Sequence, residues 1–320
     1  MSDANLDALL TRARAYTDEA TTPNTVLATR VLATGIVEQV IHAPMVARAA
    51  KAGQFVRVLS EPKGELIPLT LSDWDATQGT ITLVIQGLGT TSLLINRMQV
   101  GDVYEGIAGP LGRPSVLHDY DPATQTVVFT AGGVGLPPVY PIMREHLRLG
   151  HHVTLIAGFR NLDLRFWVGE GERVDALRAD YPDLLDVVYT SNDGSFGEEG
   201  FVTGPLERML KADQAHEASR RIAEVVTIGP PLMMRAVSDL TKPYGVFTVA
   251  SLNSVMVDAT GMCGACMVPV IVDGKLVRKH ACVDGPEIEA HGIDWGKLIP
   301  RFGQFRPQEK ASMVRHGLTL

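Results

Sequence analysis

Cysteine is scarce: the 320-residue chain has three, and they are not spread as the paired framework that staples small secreted domains. Basic runs are absent, and the net charge is −7, which argues against a nucleic-acid or anionic-membrane surface. No apolar run approaches the length of a membrane span. The acidic start Met-Ser-Asp-Ala-Asn-Leu-Asp lacks the basic-then-apolar plan of a signal or transit peptide. These absences predict a cytoplasmic chain that works on small molecules and other proteins. Near the start, Leu6, Leu9, Leu10 and Ala13 follow helical spacing, so residues 1–23 are expected to form an amphipathic extension.

A chain of this length exceeds the size at which one core stops growing, so several domains are expected. Over residues 24–118, short β-branched runs at Thr25–Ala33, Gly35–His42, Phe55–Leu59, Thr80–Gln86 and Val103–Ala108 predict an antiparallel β-barrel. Over 119–250 the rhythm changes to strand then helix. Strands are expected at Thr126–Thr130, Val153–Ala157, Asp186–Thr190, Glu224–Ile228 and Val246–Ala250, with a helix from Pro137 or Pro138 to Leu149. That alternation predicts a five-stranded parallel α/β domain. Residues 251–320 hold the cysteines and a polar tail. The whole reads as a multidomain β plus α/β protein.

All three cysteines fall within 20 residues, two of them in the turn Cys263-Gly-Ala-Cys266, the third at Cys282. Plant-type 2Fe-2S clusters use C-x4-C-x2-C and a distant fourth cysteine. Asp258-Ala-Thr-Gly-Met-Cys263-Gly-Ala-Cys266 reproduces that frame with aspartate in the first position. Two other readings stand beside this one. Cys263, Cys266, Cys282 and His280 would make a Cys3His zinc set, although His280 and Cys282 are closer than the usual pair, and the thiols could be plain buried hydrophobes. Asp258 taken alone is a common turn residue.

Ala131-Gly132-Gly133-Val134-Gly135 stands between an apolar strand and a helix, where glycines let backbone amides approach a pyrophosphate. The loop Gly229-Pro230-Pro231-Leu232-Met233 follows a later strand in the same way. A tight ligand-free turn would account for either loop. Asp193, after a third strand, is acidic where a 2′-phosphate would demand a cation, favouring NADH over NADPH; Arg160 is the residue best placed to reverse that choice. In the barrel, Pro68, Leu69 and Thr70, then Gly89, Thr90, Thr91 and Ser92, then Gly109, Pro110, Leu111 and Gly112 are candidate flavin contacts. Each segment alone is more often an ordinary turn.

In this order, barrel, dinucleotide sheet and cysteine segment resemble the ferredoxin reductase superfamily, in the branch with a C-terminal iron–sulfur segment. The electron-transfer subunit of dihydroorotate dehydrogenase B is one relative, with four cysteines. The small subunit of NADH-dependent reduced ferredoxin:NADP oxidoreductase, also known as a sulfide dehydrogenase subunit, is more similar. Ile-Pro-Leu-Thr (67–70), Gly-Pro-Leu-Gly (109–112), Asn-Asp-Gly-Ser (192–195), Met-Val-Asp-Ala-Thr-Gly-Met-Cys-Gly-Ala-Cys (256–266) and Ala-Cys-Val-Asp-Gly-Pro-Glu (281–287) carry the resemblance. It implies FAD, NAD(H) and a 2Fe-2S cluster held by Asp258, Cys263, Cys266 and Cys282. It also implies a larger flavoprotein partner similar to the glutamate synthase small subunit. The superfamily's flavin-phosphate arginine is missing, with Ile67 in its place. A zinc-stabilised nucleotide-binding regulatory module is the non-enzymatic alternative.

Overall fold

The computed structural model describes residues 22–62 and 64–318. The extension expected over 1–23 lies outside the described residues except for its last two positions. Valine, isoleucine and threonine, which suit a pleated and half-buried surface, dominate the first strands. These are β1 (Val26–Ala33), β2 (Ile36–His42), β3 (Phe55–Leu59), β4 (Ile67–Thr70), β5 (Asp73–Asp75), β6 (Thr80–Gln86) and β7 (Gly106–Leu111). They form two antiparallel sheets, ordered β1-β2-β6-β5 and β4-β3-β7. One core draws on both sheets, with Val26, Ile41, Val56, Val58, Ile81, Leu83 and Tyr104 buried together.

The last of these strands begins later than its sequence pattern suggests. Val103 makes only an isolated bridge to Thr25, and the paired segment runs on through Pro110. Proline cannot donate to a ladder, and the register shift between Phe55 and Arg57 accommodates it. Gly109-Pro110-Leu111 is therefore strand rather than turn.

The second half builds β8 (Gln125–Gly132), β9 (Val153–Phe159), β10 (Leu185–Ser191), β11 (Glu198–Glu199), β12 (Arg221–Ile228) and β13 (Phe247–Ser251). β14 (Met267–Val272) and β15 (Lys275–His280) make a separate hairpin, and β16 (Glu287–Glu289) follows. The large sheet is ordered β11-β10-β9-β8-β12-β13-β16. The five expected parallel strands form its centre, but it has seven. β11 adds a parallel edge and β16, from the cysteine segment, an antiparallel one. Strands of two or three residues carry no periodicity that a sequence could show. Along β8, Val127, Phe129 and Ala131 enter one core and Val128 the core on the opposite face, as a sheet covered on both sides requires.

A buried ionic network ties the two halves. Arg173, on the helix Arg173–Asp180, reaches Asp73 of β5 at 2.9 Å and Glu38 of β2 at 3.1 Å. Arg144, on the helix Leu136–Arg148, meets the other oxygen of Asp73 at 2.7 Å, and Arg30 meets Glu38 at 3.1 Å. Burial works against charge on Arg173, but Glu38 and Asp73 more than offset it and hold its pKa above normal. Burial likewise opposes ionised Asp73, and the two arginines still bring its pKa down.

Candidate functional site

Counted in chain order from β8, the five central strands lie 3-2-1-4-5, so the order reverses between β8 and β12. Open α/β sheets bind ligands at that reversal, outside the carboxyl ends of the strands. Both glycine loops are there. Gly132 ends β8, and Gly133–Gly135 form one 3-10 turn leading into the helix Leu136–Arg148. Gly229 ends β12's path into the helix Pro231–Thr241. Their packing explains the glycines: a Cβ on Gly135 would sit 2.0 Å from the Ile228 carbonyl oxygen, and one on Gly132 2.5 Å from Met233 Sδ. Gly133 adopts φ +53, a left-handed conformation that favours glycine. Gly132, Gly133, Val134, Gly135, Gly229, Pro230 and Met233 are thus one structure. Two helix N-termini open beside it, their first turns poor in amide donors because Pro137, Pro138 and Pro231 occupy them.

Asp193 lies apart, beyond the end of β10. Its Oδ1 accepts the Ser195 amide at 3.1 Å and the Ser195 hydroxyl at 2.6 Å, and these bonds hold its pKa below the usual carboxylate range. Its local role is therefore to close its own turn. Arg160, after β9, is exposed.

Two of the three flavin candidates converge on β3. Phe55 pairs with both Thr70 of β4 and Leu111 of β7. Gly112 follows with φ +78, and a Cβ there would lie 2.9 Å from the Phe55 ring. Gly89–Ser92 open a short helix, Thr90–Ile95. The Ser92 hydroxyl is occupied there, accepting the amides of Leu88 and Gly89 at 2.9 and 3.0 Å. Thr91 is buried, and the Thr90 hydroxyl donates to Ser312 at 2.8 Å. Ser312 belongs to the C-terminal helix Arg306–Arg315, whose polar composition gave no sign that it would cover this segment.

In the cysteine segment, one oxygen of Asp258 accepts the Thr260 amide and the other the Cys263 amide, both at 2.8 Å. Hydrogen bonds from Thr260 first, then Cys263, keep this exposed carboxyl ionised to lower pH than usual. The Cys266 and Cys282 sulfurs are 3.1 Å apart and buried, whereas Cys263 is exposed. Burial, the neighbouring Cys266 thiol and the charge of Asp258 push Cys282 up to about 12. Among the described residues, no three His, Cys, Asp or Glu side chains converge as ligands for a single metal ion, and neither the zinc set nor the aspartate set is an exception. The four frame residues instead fall in two pairs, Asp258 with Cys263 and Cys266 with Cys282. That arrangement fits a two-iron cluster, whose protein ligands are divided between its irons.

Cys266 and Cys282 share a core with Leu111 from the flavin candidates, with its β3 partner Phe55, and with Met233 and Met234 from the second glycine loop. Sequence reasoning did not foresee that junction, nor the contacts that brace it. Arg113 donates from its amide to the Gly285 carbonyl at 2.7 Å and from its side chain to that of Val283 at 2.9 Å. Ser115 donates to Glu287 at 2.6 Å. Arg301 donates to the Ala265 carbonyl at 3.2 Å. A separate cavity of about 620 Å³ between Arg30–Leu32 and Arg165–Glu172 is lined by none of the candidate residues.

A parallel sheet opening on glycine loops, preceded by antiparallel sheets and followed by a cysteine segment, defines a ferredoxin reductase-like NAD-binding oxidoreductase subunit with an iron–sulfur segment. Family models agree: that for the iron–sulfur cluster binding domain of dihydroorotate dehydrogenase B matches residues 253–294, and that for the oxidoreductase NAD-binding domain matches 129–239. The chain is 35% identical to a dihydroorotate dehydrogenase B (NAD(+)) electron transfer subunit homolog of Thermotoga maritima, covering 86% of this chain and 89% of the relative. It is 28% identical to the electron transfer subunit of Desulforamulus reducens, over 84% and 97% of the two chains. The protein belongs to the family of dihydroorotate dehydrogenase B electron transfer subunits and their homologues. Among solved structures it is similar to a chain of NADH-dependent reduced ferredoxin-NADP oxidoreductase, with TM-score 0.80, 32% identity, and coverage of 93% of this chain and 99% of that one. No helix among the described residues is long and apolar enough to cross a membrane.

Proposed function

We propose that the protein oxidises NADH, or reversibly reduces NAD+, and passes electrons to a larger flavoprotein partner. The common core of Phe55, Leu111, Met233, Cys266 and Cys282 carries this reading, because it brings all three candidate cofactor sites to one place. Bound FAD supplies conversion of a two-electron hydride into single electrons, which a 2Fe-2S cluster accepts one at a time.

The chain's own residues position and tune these groups. The glycine loops Gly132–Gly135 and Gly229–Met233 would let the NADH pyrophosphate approach the backbone closely at the sheet's reversal. Thr70, with Pro68 and Leu69, would lie beside the flavin ring, while Gly89–Ser92 and Gly109–Gly112 would line the rest of the flavin. Asp193 disfavours a 2′-phosphate, so NADH is preferred to NADPH. Asp258, Cys263, Cys266 and Cys282 would hold the cluster. The functional units are 24–118 for FAD in an antiparallel barrel, 119–250 for NAD(H) and 251–320 for the cluster, in a cytoplasmic protein.

Similarity to the bifurcating reductase chain, together with aspartate in the first ligand position, favours a partner resembling the glutamate synthase small subunit. Similarity to the dihydroorotate dehydrogenase subunits favours the second reading, a dihydroorotate-type partner. Purification from the host with its companion subunit separates the two. For the common reading, anaerobic titration of the coloured protein with NADH should bleach the flavin and then bring up a reduced-cluster EPR signal. A colourless protein containing zinc would refute it.

A further inference from the structure

Arg57 lies in the middle of β3, between Val56 and Val58, which are fully buried in the antiparallel core. Alternation therefore turns its side chain to the opposite face. Residues paired across antiparallel strands share a face, so Arg57 lies on the same side as Pro68, and Phe55 on the same side as Thr70. These are the flavin candidates.

Across that face its guanidinium leaves the strand's neighbourhood altogether. One Nη donates to the carbonyl of Asp258 at 2.6 Å and the other to the carbonyl of Val257, about 200 residues away in sequence. Among the described residues its buried Nε–H has no hydrogen-bond partner. The loop from Leu252 to Cys266 has no helix or strand after Ser251, and its carbonyls need donors from elsewhere. A guanidinium provides charge-assisted donors in a rigid fork.

We propose that Arg57 is a positioning residue for electron transfer. It fixes the Asp258 loop against the flavin-contacting strand and places a permanent positive charge beside the cluster's oxygen ligand. Two consequences follow from that geometry. The Asp258 side of the junction between flavin and cluster is held by a side chain that belongs to the flavin sheet and grips the ligand loop. The charge favours the reduced, more negative cluster, because local charge and hydrogen bonding set iron–sulfur potentials.

The inference rests on Asp258 ligating a cluster, and the test separates the two. The full chain is purified with FAD and cluster as wild type, Arg57→Gln and Arg57→Lys. Iron content, cluster EPR spectrum, cluster midpoint potential and stopped-flow reduction by NADH are measured. Arg57→Gln should keep its iron and its rate of flavin reduction, with the cluster potential shifted negative, a changed EPR spectrum and at least tenfold slower flavin-to-cluster transfer. Arg57→Lys should recover most of the potential, since it restores the charge. It should recover less of the rate, since an ammonium cannot fork across two carbonyls. A wild-type potential and spectrum in Arg57→Gln overturns the proposal, as does loss of FAD from both variants, which would make Arg57 a flavin contact. Absence of iron from the wild type refutes the ligand reading instead.

Discussion

Asp258 is the residue on which the proposed cluster ligation turns. Both carboxylate oxygens accept amides of its own loop, so the side chain is ionised and prearranged next to Cys263. Asp258→Ala should therefore lose most of the cluster, read as a fall in iron content and visible absorbance. Asp258→Cys should keep it with a different midpoint potential, because ligand identity tunes iron–sulfur potentials. Unchanged clusters in both variants would show that the aspartate does not ligate. The proposed frame of Asp258, Cys263, Cys266 and Cys282 could be picked out of the sequence because most of its spacing is local. Arg57, Arg113 and Arg301 could not: each acts on a backbone carbonyl far along the chain, and a carbonyl is the same in every residue.

At the scale of elements, the two nucleotide loops are held together by missing side chains. Gly135 faces a backbone carbonyl that cannot move aside, whereas Gly132 faces the flexible end of Met233 and, at 2.9 Å, the Pro230 ring. Gly135→Ala should thus destabilise the protein by about 2 kcal/mol or more and raise the NADH Kd. Gly132→Ala should cost less, about 1–2 kcal/mol, because the Met233 end can turn away while the Pro230 ring cannot. Thermal unfolding and NADH titration of the two variants check the order. The glycine-rich strand–turn–helix pattern disclosed both loops separately. Their mutual packing, like the cover that Ser312 gives to Thr90, depends on how distant elements meet. The short strands β11 and β16 escaped notice for a different reason, being too brief to show a period.

For the molecule as a whole, the ionic network joins the antiparallel sheets to the parallel sheet. Arg173 neutralises two carboxylates from the first half, and Glu38 is fully buried. Arg173→Met should destabilise by roughly 3–5 kcal/mol, because it strands buried charge. Arg173→Met combined with Glu38→Gln should recover part of that loss, measured by denaturant unfolding. If the single variant unfolds like wild type, the network does not join the halves. Such pairings are invisible in sequence, since 29 Lys and Arg face 36 Asp and Glu with nothing to say which meet.

The strand β16 has a further meaning for the molecule's solubility. A sheet edge is an open template for pairing with any extended chain, and β16, lying antiparallel along Val249–Ser251, replaces the β13 edge with one only three residues long. The cysteine segment therefore shields the nucleotide-binding sheet from self-association. A chain cut after Ala250 would lose both the cluster and its protection against aggregation.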